Sequence, residues 1–176
     1  RMFFRKLRLS SRANEIVPKL LQKIRTSGYI DVIWHIRYGD ISLHKNVSKM
    51  FVSQLLQTIH EIFPGRKIKV VVLSERSVMK LFYYKNFKSI GATFLTVDSE
   101  VSLELMIHSS VLVASGSSFS AIATMVKTTK SISFQVTPKE GNTTFYNIYD
   151  QPFVNERGKV TSHSISELKS RGEIIS

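Results

Sequence analysis

The sequence predicts an α/β domain in which a parallel sheet is covered by helices on both faces. Short apolar, β-branched segments alternate along the chain with segments whose apolar residues recur at helical spacing. The strand segments read as solid apolar runs without a polar face, which is typical of parallel strands buried on both sides. The length of 176 residues suits one core and makes two well-packed domains unexpected. These observations predict a single Rossmann-like domain.

The first predicted unit, residues 1–28, is a basic N-terminal segment followed by an amphipathic helix over 11–26. Residues 1–25 carry eight basic side chains against the single acid Glu15. Such a concentration of charge can contact nucleic acid, an anionic membrane or an acidic partner. The simpler alternative is a solvated surface helix.

The core follows over residues 29–136. Its predicted strands are 30–36, 70–73, 93–97, 111–114 and 132–135, and its predicted helices are 48–63, 76–86, 102–108 and 118–127. Residues 137–176 belong to the same domain. They predict a long surface loop over 137–158, rich in Pro, Gly, Asn, Thr and Tyr, and a last helix over 165–171.

The amino-acid composition excludes several kinds of chemical site. The chain has no cysteine, which excludes disulfides, thiolate metal sites and a thiol nucleophile. Apolar residues make up 43% and charged residues 22%, as in soluble globular proteins, and no apolar run approaches the length needed to cross a bilayer. We expect a soluble domain, with the compartment open between the cytoplasm and the Golgi lumen.

One candidate site follows the first predicted strand. The segment 35–40 reads His-Ile-Arg-Tyr-Gly-Asp, and alternation along a strand places His35 and Arg37 on the same side. An arginine at a strand end is a natural bidentate partner for a diphosphate, because its planar fork matches two oxygens. Asp40 or His44 can serve as a general base. The alternative is a structural Arg37–Asp40 ion pair in a loop.

A second candidate site lies between a buried strand and a helix, in the serine-rich segment 113–120. Gly116 and its small neighbours let the backbone approach a ligand closely, and the amides at the following helix N-terminus favour an anion. Ser117 and Ser118 can donate hydroxyl hydrogen bonds to a phosphate. The alternative is that these serines only cap the helix. Asp98, which follows the strand 93–97, can accept hydrogen bonds from a ribose or a base, or can cap the helix after it.

Several familiar motifs are missing. The chain contains no G-x-G-x-x-G, G-x-x-x-x-G-K-[ST], G-x-S-x-G or H-E-x-x-H, which argues against a dehydrogenase, a P-loop NTPase, an α/β-hydrolase and a zincin. No D-x-D pair is present to hold a metal-bound sugar nucleotide, so metal-independent chemistry without a cofactor is favoured.

The pairing of segment 35–40 with the later Ser-Gly-Ser-Ser-Phe-Ser of 115–120 resembles the fucosyltransferase superfamily with H-x-R motifs, which includes α-1,6-, α-1,2- and protein O-fucosyltransferases. The resemblance covers roughly residues 10–135. It implies the carboxyl-terminal, donor-binding domain of a GT-B glycosyltransferase, with the amino-terminal, acceptor-binding domain missing. GDP-fucose is the expected donor substrate, and a glycan or protein is the acceptor.

The resemblance also assigns roles. Arg37 would bind the β-phosphate of the donor, with His35 beside it in the donor site. Gly116, Ser117 and Ser118 would contact the diphosphate, and Asp98 would hold the base or ribose. Many relatives carry a second arginine directly after the first, where this chain has Tyr38. Xylose, galactose or rhamnose therefore remain open as donor sugars.

Two other functions remain in competition. The first is a non-catalytic domain that binds nucleotides or polyanions through the basic N-terminal segment, without specificity for a nucleic acid. The second is a small hydrolase or phosphatase, which ranks last because no nucleophile is recognisable.

Overall fold

The structure is a computed structural model. It describes residues 11–25, 27–36, 48–74, 84–114, 117–127, 131–136, 152–155, 157–160 and 163–175. In chain order the elements are α1 (Ser11–Ile24), β1 (Tyr29–Ile36), α2 (Lys49–Ile62), β2 (Lys67–Ser74), α3 (Tyr84–Lys88), β3 (Thr93–Leu95), α4 (Ser99–His108), β4 (Val111–Ala114), α5 (Ser118–Val126), β5 (Ile132–Val136), β6 (Phe153–Val154) and α6 (Ile165–Ile175).

The strands form one sheet in the order β3-β2-β1-β4-β5-β6, and every neighbouring pair is parallel. The order runs outward from β1 in one direction and from β4 in the other, so the topological switch point lies between β1 and β4. This is the strand order of doubly wound nucleotide-binding folds. The predicted fold class, a Rossmann-like parallel sheet with helices on both faces, is confirmed.

The two faces of the sheet carry separate apolar cores. Residues such as Ile33, Val71 and Leu112 point to one face, where they pack against α1, α4 and α5. The alternate residues, including Trp34 and Val72, point to the other face and pack against α2, α3 and α6. This alternation is the two-residue period of a strand, and both sides are apolar because helices cover both.

Trp34 lies near the middle of the second core. Its ring meets Phe51 of α2 at 5.9 Å between centroids and Phe87 of α3 at 4.9 Å, both edge to face. Such pairs each add roughly 0.5–1.5 kcal/mol to the stabilisation that comes from apolar burial. The aromatic cluster therefore fixes α2 and α3 against β1, the central strand that ends at the candidate site.

Several predicted boundaries differ from the structure. β4 begins and ends as predicted, whereas α4 begins at Ser99 rather than at Ser102. The prediction of a surface loop is wrong at Phe153–Val154, which pairs with β5 as an additional parallel strand. Of the predicted helix 76–86, residues 76–83 lie outside the described residues. No helix among the described residues is long and apolar enough to cross a membrane.

Candidate functional site at the carboxyl edge of the sheet

The candidate site lies at the carboxyl edge, by which we mean the side of the sheet where the parallel strands end. β1 and β4 are direct neighbours there, with Trp34 opposite Val113. The carboxyl ends of these two strands therefore lie side by side at the switch point. Ligands of open α/β sheets bind in the crevice at this place. Four predicted site residues on these segments lie outside the described residues: Arg37, Asp40, His44 and Gly116.

His35 is the next-to-last residue of β1, and the structure places it inside the edge of the sheet. Its side chain is almost fully buried on the face covered by α1, α4 and α5. The imidazole ring lies 5.6 Å from the ring of Phe119 in the first turn of α5, at an interplanar angle of 56°. His35 thus connects the end of β1 with the start of the helix that follows β4.

Asp98 is the N-cap of α4. Its Oδ1 accepts a hydrogen bond from the backbone N–H of Val101 at 3.0 Å, which satisfies one of the free amides of the first helical turn. The capping role considered for Asp98 is therefore present, at a helix start three residues earlier than predicted. The residue is exposed and also lines a cavity at the carboxyl edge. A contact between Asp98 and a base or ribose stays a prediction.

Ser117 and Ser118 differ in their surroundings. Ser117 is the N-cap of α5, and its hydroxyl accepts from the backbone N–H of Ser120 at 3.3 Å. Only 1% of Ser117 is exposed, so its capping hydroxyl faces the interior. Ser118 is exposed at the first position of the helix. The capping alternative holds for Ser117, and contacts of either serine with a diphosphate stay predictions.

A cavity of about 230 Å³ opens at this edge of the sheet, and we call it the carboxyl-edge cavity. Its lining residues come from the ends of β1 and β2, from the start of α4 and from the first turn of α5: His35, Ser74, Val97, Asp98, Ser99, Ser102 and Phe119. The volume is below the roughly 300–1,000 Å³ of pockets that hold a drug-sized ligand. It suits one part of a nucleotide, such as its base or its ribose.

Ser74 is a lining residue that the sequence analysis missed. It is the last residue of β2, only 4% exposed, and its hydroxyl has no hydrogen-bond partner among the described residues. A buried hydroxyl without a partner is unfavourable unless a ligand or a water molecule satisfies it. The signal was available, because Ser74 is the first polar residue after an apolar run, as His35 is near the end of β1. Phe119 was also missed, since an aromatic residue between serines gives no signal of its own.

No protein-family model and no curated protein matches the sequence. Among solved structures, α,α-trehalose 6-phosphate synthase from Burkholderia multivorans superposes on 93% of this chain with a TM-score of 0.51 at 12% identity. This likeness shows the fold.

Two fucosyltransferase structures are also similar, with lower scores. The fucosyltransferase NodZ from Bradyrhizobium matches 70% of this chain with a TM-score of 0.46 and 13% identity. POFUT1 in complex with GDP-fucose matches 66% with a TM-score of 0.42 and 18% identity. The chain spans 42–44% of the length of these three proteins.

Proposed function

We propose that this chain is the donor-binding half of a glycosyltransferase. It would transfer a sugar, with fucose as the expected one, from a nucleoside diphosphate to an acceptor hydroxyl, with inversion and without a metal ion. The observation that carries the proposal is the carboxyl-edge cavity beside the switch point of a doubly wound sheet. The Asp98 carboxylate and the buried Ser74 hydroxyl, which has no hydrogen-bond partner in the described part of the chain, provide polar groups for a nucleoside.

The base or ribose of the donor would occupy the cavity between α4 and α5. Phe119 and Val97 supply apolar walls, while Ser74, Asp98 and Ser102 supply polar atoms. From that position the diphosphate would extend toward the N-terminus of α5, whose first amides lack partners within the helix. The positive end of the helix dipole favours the negative charge of the diphosphate.

The proposed reaction breaks the bond between the anomeric carbon and the diphosphate oxygen. A new bond forms from the acceptor oxygen on the opposite face of the sugar. Negative charge grows on the leaving diphosphate in the transition state, where Arg37 and the α5 amides would stabilise it. Asp40 or His44 would take the proton that the acceptor hydroxyl loses. GDP-fucose is the expected donor, and the acceptor is a glycan or a protein.

A nucleotide panel tests the donor site directly. Thermal unfolding of the chain is followed with GDP, UDP, ADP and dTDP, each with and without EDTA. A donor pocket raises Tm with one nucleotide far more than with the others, and GDP is expected. An Arg37→Ala variant should lose this increase while its Tm without nucleotide stays unchanged. Lys67→Ala, which removes a positive charge at the opposite, amino-terminal edge of the sheet, is the matched control.

The panel also separates the proposal from polyanion binding. Binding through counterion release accepts many polyanions and weakens steeply as salt is raised. Equal stabilisation by all four nucleotides, lost between low and moderate salt, would overturn the proposal. So would an undiminished nucleotide response in Arg37→Ala.

A further inference from the structure

A buried line of hydrogen bonds connects β5 with α5. The Gln135 side chain of β5 donates from Nε2 to Thr124 Oγ1 at 2.7 Å. The Thr124 hydroxyl in turn donates to the carbonyl oxygen of Ser120 at 3.1 Å. Gln135 and Thr124 are 3% and 6% exposed, and Ser120 is fully buried. The line therefore runs inside the protein, from the sheet to the first half of the helix.

The donor and acceptor roles along this line of hydrogen bonds follow from the Thr124 hydroxyl. The single hydroxyl proton of Thr124 goes to Ser120, so Thr124 can only accept from Gln135. The amide nitrogen of Gln135 must therefore face Thr124. Its Oε1 then points elsewhere and has no hydrogen-bond partner among the described residues. A buried acceptor without a partner is unfavourable, and an apolar residue of similar size would avoid it. Within the described part of the chain, the stabilising contact of the Gln135 side chain is therefore the one to Thr124.

The same line reaches the cap of α5. Ser120 donates its backbone N–H to Ser117 Oγ and its hydroxyl to the Ser117 carbonyl oxygen at 3.2 Å. The position of Ser120 therefore sets the position of the cap. Gln135 is also paired through the backbone with Ala114, the last residue of β4. Gln135 thus pairs directly with the last residue of β4 and reaches the cap of α5 through Thr124 and Ser120.

We infer that Gln135, acting through Thr124, is a positioning residue for the first turn of α5. It holds this turn in place at the carboxyl edge, so that the backbone N–H groups of the turn contact a bound diphosphate. This inference rests on the proposed function, which places the diphosphate there. A displaced turn would leave the nucleoside contacts at Ser74 and Asp98 in place, move the Phe119 wall of the cavity and weaken the diphosphate contacts directly. The predicted loss is therefore larger for the diphosphate than for the nucleoside.

The test compares the dissociation constants of GDP and guanosine by calorimetry. The ratio of the two constants reports the diphosphate contacts, whereas guanosine alone reports the nucleoside cavity. In Gln135→Leu and Thr124→Val the preference for GDP over guanosine should fall roughly tenfold, about the effect of one lost hydrogen bond to a charged group. The affinity for guanosine should fall less than the affinity for GDP, because, of the nucleoside contacts, only the Phe119 wall lies on the displaced turn. Thr124→Ser keeps the hydroxyl and should restore the preference.

Ser133→Ala is the matched control, since Ser133 lies two residues earlier on the same strand and the same face and is also buried. It should leave the GDP preference unchanged. If Gln135→Leu does not fold, the comparison of Thr124→Val with Thr124→Ser tests the positioning role by itself. An unchanged preference in folded Thr124→Val overturns the positioning role while leaving the donor site intact. A wild-type chain that binds neither GDP nor guanosine overturns the proposed function, and the inference with it.

Discussion

Lys127 should make the stability of the fold depend on pH above neutrality. Its amine is buried directly after α5 and donates to the carbonyl oxygen of Met106 at 3.0 Å, to Ser109 Oγ at 2.8 Å and to the Ser109 carbonyl oxygen. Burial lowers the pKa of Lys127 from 10.5 to about 7, against the attraction of Asp31 and together with the repulsion of Arg25. In the unfolded chain the pKa of this lysine returns to its ordinary value.

The direction and size of the effect follow from proton linkage. Between pH 7 and pH 10.5 the unfolded chain binds more protons at Lys127 than the folded chain does, so the free energy of unfolding rises with pH. Below pH 7 both states are protonated, and this contribution stays at its low value. Each full proton of difference is worth roughly 1.4 kcal/mol per pH unit. The contribution of Lys127 should therefore increase by about 2 kcal/mol from pH 7 to pH 9.

Urea unfolding measures this contribution. Trp34 is the single tryptophan and is buried in the core, so its fluorescence reports the global transition. The difference in unfolding free energy between wild type and Lys127→Met should change by about 2 kcal/mol between pH 7 and pH 9, because every other titrating group is common to both. Lys19→Met removes an exposed lysine and should give a flat difference. If the difference in unfolding free energy between wild type and Lys127→Met does not change with pH, the three acceptor oxygens keep the Lys127 amine protonated in the folded protein. That result would refute the reasoning.

Two further predictions concern the fold and the candidate site. Gly158 has φ +81° and an added Cβ would lie 2.6 Å from the carbonyl oxygen of Phe51, whereas Gly91 has φ +71° with open space around it. Gly158→Ala should therefore lower the free energy of unfolding by more than about 2 kcal/mol, whereas Gly91→Ala should lower it only by the backbone strain of roughly 1–2 kcal/mol. Thermal unfolding measures both losses, and equal losses would contradict the predicted clash. Asp98→Asn should keep the cap of α4 and its Tm but weaken GDP binding, while Asp98→Ala should also lose about 1 kcal/mol of stability. Normal GDP binding by Asp98→Asn would limit this residue to capping.

Buried strands were predicted well from the sequence because both of their faces are apolar. β4 is bounded as predicted, since a run of four apolar residues has no ambiguous end. β2 begins at Lys67, three residues before the predicted start, because its first residues lie at the less buried amino end where lysine is tolerated. The two residues of β6 gave no signal within a segment rich in turn residues. Strand order was not predictable, since it depends on contacts between elements distant along the chain.

The candidate site was predictable where it depends on single strand ends. His35 and Asp98 were identified because a polar residue directly after or near the end of an apolar run stands at the carboxyl edge of a parallel sheet. Ser74, the polar last residue of β2, carried the same signal and was missed. Phe119 belongs to the site only because α4 and α5 begin next to each other, and no spacing along the chain encodes that proximity.

The inward direction of the Ser117 hydroxyl has a consequence for how such a turn changes over evolutionary time. With its capping oxygen used inside the protein, the first turn of α5 would offer the proposed diphosphate mainly peptide N–H groups. Peptide groups are common to all residues, so substitutions at the surface of the turn, Ser118 included, would leave recognition largely intact. An anion-binding site formed by main-chain atoms thus tolerates substitutions that would abolish a site formed by side chains.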